Sequence, residues 1–283
     1  KVLSLGKLRG LQELSNNQGL LTVLALDQRG SMIRALDLSE SDPDLYEKIR
    51  DVKLQIIEAL LPHSSAILLD PKYSAAEALA EGMITGQQGL IVATEETGYI
   101  DKPDGRVNQV VPGWSLAKAK RMGASAAKLL VYYHPRIGDL AAEQRQFVRS
   151  LVEDAETVDL PLLLEPMSYS NDPELPKKSP EFARIRPEIV LETVRDLGDT
   201  GVDLLKMEFP CDVNYEKDHG VWEDACAKIT ETSPVPWLLL SAGVDYPVFK
   251  AQLEVACKAG ASGYVAGRAI WKEATQLEGQ ERD

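Results

Sequence analysis

Cysteine is scarce in this 283-residue chain: Cys211, Cys226 and Cys257 are its three, and none has CxxC spacing. An odd number of scattered thiols excludes a disulfide framework and a thiolate metal site. The thiols are expected to be reduced packing residues. Histidine is as sparse, and His63, His134 and His219 lie too far apart in the sequence to suggest a metal triad. No stretch approaches the ~20 uninterrupted apolar residues of a membrane-spanning helix. The opening Lys1-Val2-Leu3-Ser4 also lacks the long apolar core of a secretory signal. Basic residues are in deficit, 31 Lys and Arg against 44 Asp and Glu, for a formal charge of −13. That balance argues against nucleic acid or an anionic membrane as partner. The chain is expected to be soluble and cytoplasmic, without metal or other cofactor, and any anion it binds must meet a few well-placed cations.

What the chain does have is a series of short, continuous apolar runs. They are LLTVLALD ending at Asp27, AILLD at Asp70, GLIVATE at Glu95, AKLLVYY at Tyr133, PLLLEP around Glu165, DLLKMEF around Lys206, PWLLLSAG around Ser241 and GYVAGR ending at Arg268. Continuous rather than alternating hydrophobicity marks strands of a parallel sheet covered on both faces. Segments of helical spacing separate them, at Leu45–Leu61, Ser115–Met122, Asp139–Thr157, Pro187–Leu197, Trp222–Thr230 and Pro247–Ala259. Eight strands alternating with helices, without a compositional break, predict a single (β/α)8 barrel over 1–283. Two polar loops, Gly98–Gly113 and Ser168–Arg186, follow strands three and five; the second, rich in Pro, Lys and Asn, is the expected lid.

In such a barrel the functional groups stand at the C-terminal ends of the strands. Asp27, Asp70, Glu95, Glu165, Lys206 and Arg268 all end their runs, whereas Lys128 lies earlier in its own. The run VDLLKMEFP buries Lys206, with Glu208 two residues on, where an unpaired charge costs several kcal/mol. Lys206 is then either a desolvated amine able to form a Schiff base with a ketone or one half of a structural ion pair. Lys128 and Glu165 come from the neighbouring strands four and five. A second ammonium at Lys128 would depress Lys206 toward neutrality, and a desolvated Glu165 would exchange protons with substrate. The bland alternative is a Lys–Glu–Lys network that satisfies itself.

Ser241-Ala242-Gly243 and Ala266-Gly267-Arg268 close consecutive strands. Glycines there let backbone N–H groups approach a phosphate, with Arg268 as a bidentate donor; a tight turn plus a surface arginine is the plain alternative. Asp27-Gln28-Arg29-Gly30 offers an acid, an amide and a guanidinium in one turn, or merely a helix-capping loop. His134, closing strand four, is placed to reach the site; Asp70 and Glu95 are equally readable as solvated strand ends, and Cys211 as a spectator loop thiol.

With LALDQRG, SSAILLDPKY, the lysine of AAKLLVYY, LLEPMSY, VDLLKMEFP, LSAGVD and GYVAGRAIW in order, the sequence resembles the class I tagatose 1,6-bisphosphate aldolases. Their barrel family includes the sulfofructose-phosphate aldolases. The resemblance runs from Leu21 to Trp271. It implies that Lys206 forms the Schiff base, that Glu165 is the proton-transferring acid/base, and that Lys128 assists at the reacting carbonyl or its hydroxyls. It further implies that Asp27, Gln28 and Arg29 contact the sugar, and that Ser241, Gly243, Gly267 and Arg268 hold the phosphate of the dihydroxyacetone half. The sequence ends at Asp283, soon after strand eight, where the tagatose enzymes carry a longer extension. Reaction class is therefore implied before substrate. The expected partner is a phosphorylated ketohexose, tagatose 1,6-bisphosphate first, with sulfofructose 1-phosphate and fructose 1,6-bisphosphate as alternatives. A phosphosugar isomerase or decarboxylase without covalent lysine and a non-catalytic phosphosugar-binding barrel are the other classes weighed. Assembly into a homo-oligomer is a general expectation for such an enzyme.

Overall fold

The computed structural model describes residues 2–277; Lys1 and residues 278–283 of the expected 1–283 unit lie outside the described residues. Eight parallel strands close into a barrel: β1 (Leu21–Leu26), β2 (Ala66–Leu69), β3 (Gly89–Ala93), β4 (Ala126–Tyr133), β5 (Leu162–Ser168), β6 (Leu204–Met207), β7 (Trp237–Leu240) and β8 (Gly263–Ala266). Each apolar run of the sequence supplies one strand, and β1 pairs with both β2 and β8 to complete the ring. The helices between strands are α2 (Gly30–Ala35), α3 (Leu45–Leu60), α4 (Ala75–Ala80), α5 (Leu116–Arg121), α6 (Gly138–Thr157), α7 (Pro180–Gly198), α8 (His219–Thr232) and α9 (Tyr246–Lys258). A short α10 (Arg268–Trp271) follows β8, and α1 (Leu5–Leu14) precedes β1.

Two apolar layers result from the period-two geometry of the strands. Residues of one parity, among them Leu24, Leu26, Ile67, Leu69, Leu129 and Leu205, pack outward with the helices. The other parity fills the barrel with Val23, Ala25, Leu68, Ile91, Ala93, Ala126, Leu163, Leu204, Leu238 and Val265, joined by Leu14 of α1. Stepping two residues past this filling leads to Asp27 just after β1, Glu95 just after β3, Lys128 on β4, Glu165 on β5 and Lys206 on β6. The register agrees, because Leu130 pairs with Glu165 and Leu164 with Leu205. Inward direction of Lys128, which periodicity alone leaves open, thus follows from the burial of its neighbours.

Two expectations need correction. Helix α7 begins at Pro180, two turns before Pro187: Ser179 caps it by accepting from Phe182 N at 3.1 Å, and Pro187 sits inside the helix. A proline within a helical pattern reads as a boundary, but here the surrounding packing outweighs the lost donor. The polar segment 98–113 is not a plain loop, since Ile100–Lys102 and Gly105–Val107 pair as an antiparallel hairpin.

Candidate active site

A cavity of about 540 Å³ opens at the C-terminal mouth of the barrel, lined by Asp27, Lys128, Glu165, Lys206 and Arg268 among others. On its floor Glu165 Oε2 accepts from Lys206 Nζ at 2.8 Å and stands 2.9 Å from Lys128 Nζ. Lys128 Nζ also donates to Asp27 Oδ2 at 2.9 Å and to Glu95 Oε1 at 2.5 Å. Glu95 Oε2 is fixed in turn by the Leu130 N–H at 3.0 Å. Lys128 and Lys206 are 1% and 4% exposed, so these charges are compensated by one another and not by water.

The structure gives Lys128 a different setting from the one expected. It is not a free second cation beside Lys206, because three carboxylates surround it. Burial pulls its ammonium down, but Asp27, Glu165 and Glu95 outweigh this and hold it well above the ordinary lysine value. Burial likewise pushes Asp27 up, yet the charges of Lys128 and Lys206 and the Lys128 hydrogen bond carry it well below the usual carboxylate range. The surrounding carboxylates therefore favour the charged, hydrogen-bond-donating form of Lys128. Among the described residues only Glu165 touches both ammonium groups, which makes it the atom-level link between Lys206 and the rest of the cluster.

Around the floor, Gln28 and Arg29 line the cavity as expected. Gln28 Oε1 is buried without a hydrogen-bond partner among the described residues, leaving an acceptor for a hydroxyl. Arg29 is 7% exposed and its guanidinium is engaged: Nη2 donates to the Glu95 carbonyl, and Nη1 lies 3.3 Å from Glu96. Of the expected phosphate cradle, Arg268 lines the cavity, while Ser241, Gly243 and Gly267 are not among its lining residues. Gly243 takes φ +75°, and a Cβ there would stand 3.0 Å from the Arg268 guanidinium carbon, so its missing side chain is what lets the arginine lie on the loop. A Cβ at Gly267 would meet the Ala25 carbonyl at 2.3 Å, which ties this corner to β1.

Several residues at strand ends serve elsewhere. Asp70 is fully buried and ion-paired to Lys53, whose Nζ also donates to the Leu26 carbonyl at 2.8 Å. Glu208 turns to the end of the preceding strand, β5, accepting from Ser168 N at 2.8 Å, Ser168 Oγ at 2.5 Å and Lys177 Nζ at 2.8 Å. Burial pushes its carboxyl up, but Lys177 and Arg186 bring it down to about 2. His134 packs on Tyr169 and does not line the cavity. Burial pushes the Cys211 thiol up to about 11, the setting of an unreactive thiol.

Other lining residues escaped the sequence reading, namely Ser31, Arg34, Thr97, Tyr99, Tyr132 and Met167. A signal for Tyr132 existed, since it lies two and four residues beyond Leu130 and Lys128 on the same strand face. The loop over the site is also the other one: Gly98 and Tyr99, beside the hairpin, line the cavity, whereas 170–173 and Lys177 border a separate recess of about 350 Å³. Lys177 anchors that second segment to Glu208 and to the Ser168 carbonyl. Among the described residues no helix is long and apolar enough to cross a membrane.

Residues 21–273 match the family described as DeoC/LacD family aldolase. A relative named tagatose 1,6-diphosphate aldolase from Staphylococcus haemolyticus (strain JCSC1435) is 31% identical over 286 residues, covering 96% of this chain and 86% of its own. One of the same name from Listeria monocytogenes serovar 1/2a is 32% identical over 297 residues, covering 98% and 85%. Among solved structures, a Schiff-base-forming fructose-1,6-bisphosphate aldolase aligns with a TM-score of 0.61 at 20% identity, covering 94% of this chain and 93% of its own. A fructose-bisphosphate aldolase from Slackia heliotrinireducens aligns at 0.64 with 16% identity, covering 95% and 82%. These two structures share the barrel fold. The chain belongs to the DeoC/LacD family of aldolases and is a class I aldolase.

Proposed function

We propose that this chain cleaves a ketohexose 1-phosphate bearing a second anionic group at its far end, tagatose 1,6-bisphosphate foremost, into dihydroxyacetone phosphate and an aldehyde. The observation that carries the proposal is the buried Lys206 Nζ, held 2.8 Å from Glu165 Oε2 beneath a cavity that also presents Arg268. The relatives' printed name supports the tagatose substrate. Fructose 1,6-bisphosphate and sulfofructose 1-phosphate are the alternatives within the same chemistry.

Glu165 is the base placed to take a proton from the Lys206 ammonium. The freed amine adds to the substrate ketone, and Glu165 returns the proton to the departing oxygen so that water leaves, giving an iminium on Lys206 and restoring the Glu165 carboxylate. A carboxylate then accepts the proton of the hydroxyl on the carbon beyond the scissile bond. Glu165 is again the group in position, now without its Lys206 hydrogen bond. As that hydroxyl becomes the aldehyde carbonyl, the carbon–carbon bond breaks and its electron pair flows into the iminium nitrogen, forming an enamine. The aldehyde departs, the enamine carbon takes the proton that Glu165 received, and water releases dihydroxyacetone phosphate and regenerates the amine. Lys128, charged throughout, donates to oxygens that gain negative character, while Asp27 and the Gln28 carbonyl oxygen accept from sugar hydroxyls. Arg268, with the backbone at Ser241, Gly243 and Gly267, takes the phosphate of the dihydroxyacetone half.

Product analysis tests the substrate. Incubation with tagatose 1,6-bisphosphate should release dihydroxyacetone phosphate at a rate at least matching that from fructose 1,6-bisphosphate and from sulfofructose 1-phosphate. Release from one of those alone would reassign the substrate, and isomerised sugar without cleavage would refute the reaction.

A further inference from the structure

Five cationic side chains line the cavity: Arg29, Arg34, Lys128, Lys206 and Arg268. Their partners divide them sharply. Lys128 and Lys206 belong to the carboxylate cluster, and Arg29 is bound to the Glu95 carbonyl and Glu96. Arg34 and Arg268 have no carboxylate partner among the described residues. In a chain of net charge −13, with 44 acidic residues to choose from, two unpaired guanidinium groups on one cavity are a specific arrangement. The two are also built alike. The Arg268 guanidinium lies against Gly243, and that of Arg34 folds back over Gly30, its Nη1 3.6 Å from where a Cβ would stand, on the side where Thr97 of the β3 loop comes within 3.4 Å. Arg34 thus lies back along α2 toward its N-terminus, where it borders the cavity.

We infer that Arg34 reads the second anion of the substrate, the phosphate or sulfonate at the end remote from the dihydroxyacetone half. This rests on the proposed function, which requires two anion sites and assigns Arg268 to one. Of the remaining lining cations, Arg34 alone lacks a protein acceptor, and a planar guanidinium suits a tetrahedral oxyanion. Arg29, the arginine that the sequence singles out for this turn, is then a positioning residue: it fixes the Glu95–Glu96 segment beside Lys128 and leaves anion recognition to its neighbour five residues on.

The experiment measures affinity of the full chain for hexitol 1,6-bisphosphate and hexitol 1-phosphate by titration calorimetry. Neither hexitol has a ketone, so the result does not depend on imine formation. Arg34→Gln is expected to weaken the bisphosphate by about 10- to 100-fold and the monophosphate at least ten-fold less. Arg34→Lys should recover part of the loss. Equal weakening of both ligands would overturn the inference, by placing Arg34 on the same phosphate as Arg268, and so would unchanged affinity for the bisphosphate. Arg34 is exposed, and matching circular dichroism of the variants controls for folding. Failure of the Schiff-base reading would show separately, as loss of a dihydroxyacetone phosphate adduct on Lys206.

Discussion

Replacing Lys128 by Met removes the one ammonium that three buried carboxylates share. Its Nζ lies 2.9 Å from Asp27, 2.5 Å from Glu95 and 2.9 Å from Glu165, and only Glu165 has a second lysine. Breaking a buried pair by removing one partner costs about 3–5 kcal/mol. At roughly 2–4 °C per kcal/mol for a chain of this size, Tm at pH 7 should fall by about 6–20 °C. The sign with pH follows from the two shifted groups. Lys128 is raised in the fold, so its contribution is fully present below the unfolded lysine value and is lost only as pH rises through the folded one. Asp27 is lowered, so its contribution is present above the unfolded carboxylate value and lost as pH falls. Both are in force at pH 7. Without Lys128 the crowded carboxylates bind protons more readily in the fold than in the unfolded chain, and acid relieves them. The deficit of the variant should therefore shrink between pH 7 and pH 5, measured by urea unfolding of both proteins. Lys206→Met is the comparison, since Glu165 then keeps Lys128 and the loss should be smaller. A deficit that is constant with pH, or an equal one in Lys206→Met, would refute the reasoning.

Glu165→Gln should slow cleavage by about 10²–10⁴-fold, the usual worth of a positioned acid/base, and should also slow formation of the Lys206 imine, since Glu165 takes the Lys206 proton; unchanged steady-state rates would remove Glu165 from the mechanism. Glu208→Gln should destabilise the fold without abolishing the imine, because Glu208 serves Ser168, Lys177 and Arg186 and not the cavity. Its carboxyl, lowered from 4.5 to about 2, contributes about 3 kcal/mol that is present above pH 4.5 and lost toward pH 2. Acid unfolding of the variant should lack that component, and superimposable pH–stability curves would argue against it.

The eight strands were legible because a sheet covered on both faces imposes runs that are apolar at every position, and each such run formed a strand. The same property hid direction. On AAKLLVYY both faces are apolar, and the inward turn of Lys128 follows only once Ala126 is seen to belong with Leu163 and Leu204 inside the barrel. Glu95 and Asp70 end their strands identically in sequence, yet one joins Lys128 and the other Lys53 on α3. Choosing between them needed the position of a helix residue 17 places away. Glu208, two residues past Lys206, looked like its companion, but the chain leaves the strand at Met207 and carries it to Ser168. Arg29 and Arg34 illustrate the same limit, since both are arginines after β1 and only three-dimensional partners show which guanidinium is already occupied. The hairpin at 100–107 and the early start of α7 rest on tertiary packing that local pattern does not encode.

Borohydride reduction in the presence of dihydroxyacetone phosphate, read by intact mass and peptide mapping, addresses the covalent claim most directly. One reduced adduct is expected, mapped to Lys206 and absent from a folded Lys206→Met protein. An adduct on Lys128 instead, or none in a protein that binds the ligand, would contradict the assignment of Lys206 as the Schiff-base nucleophile.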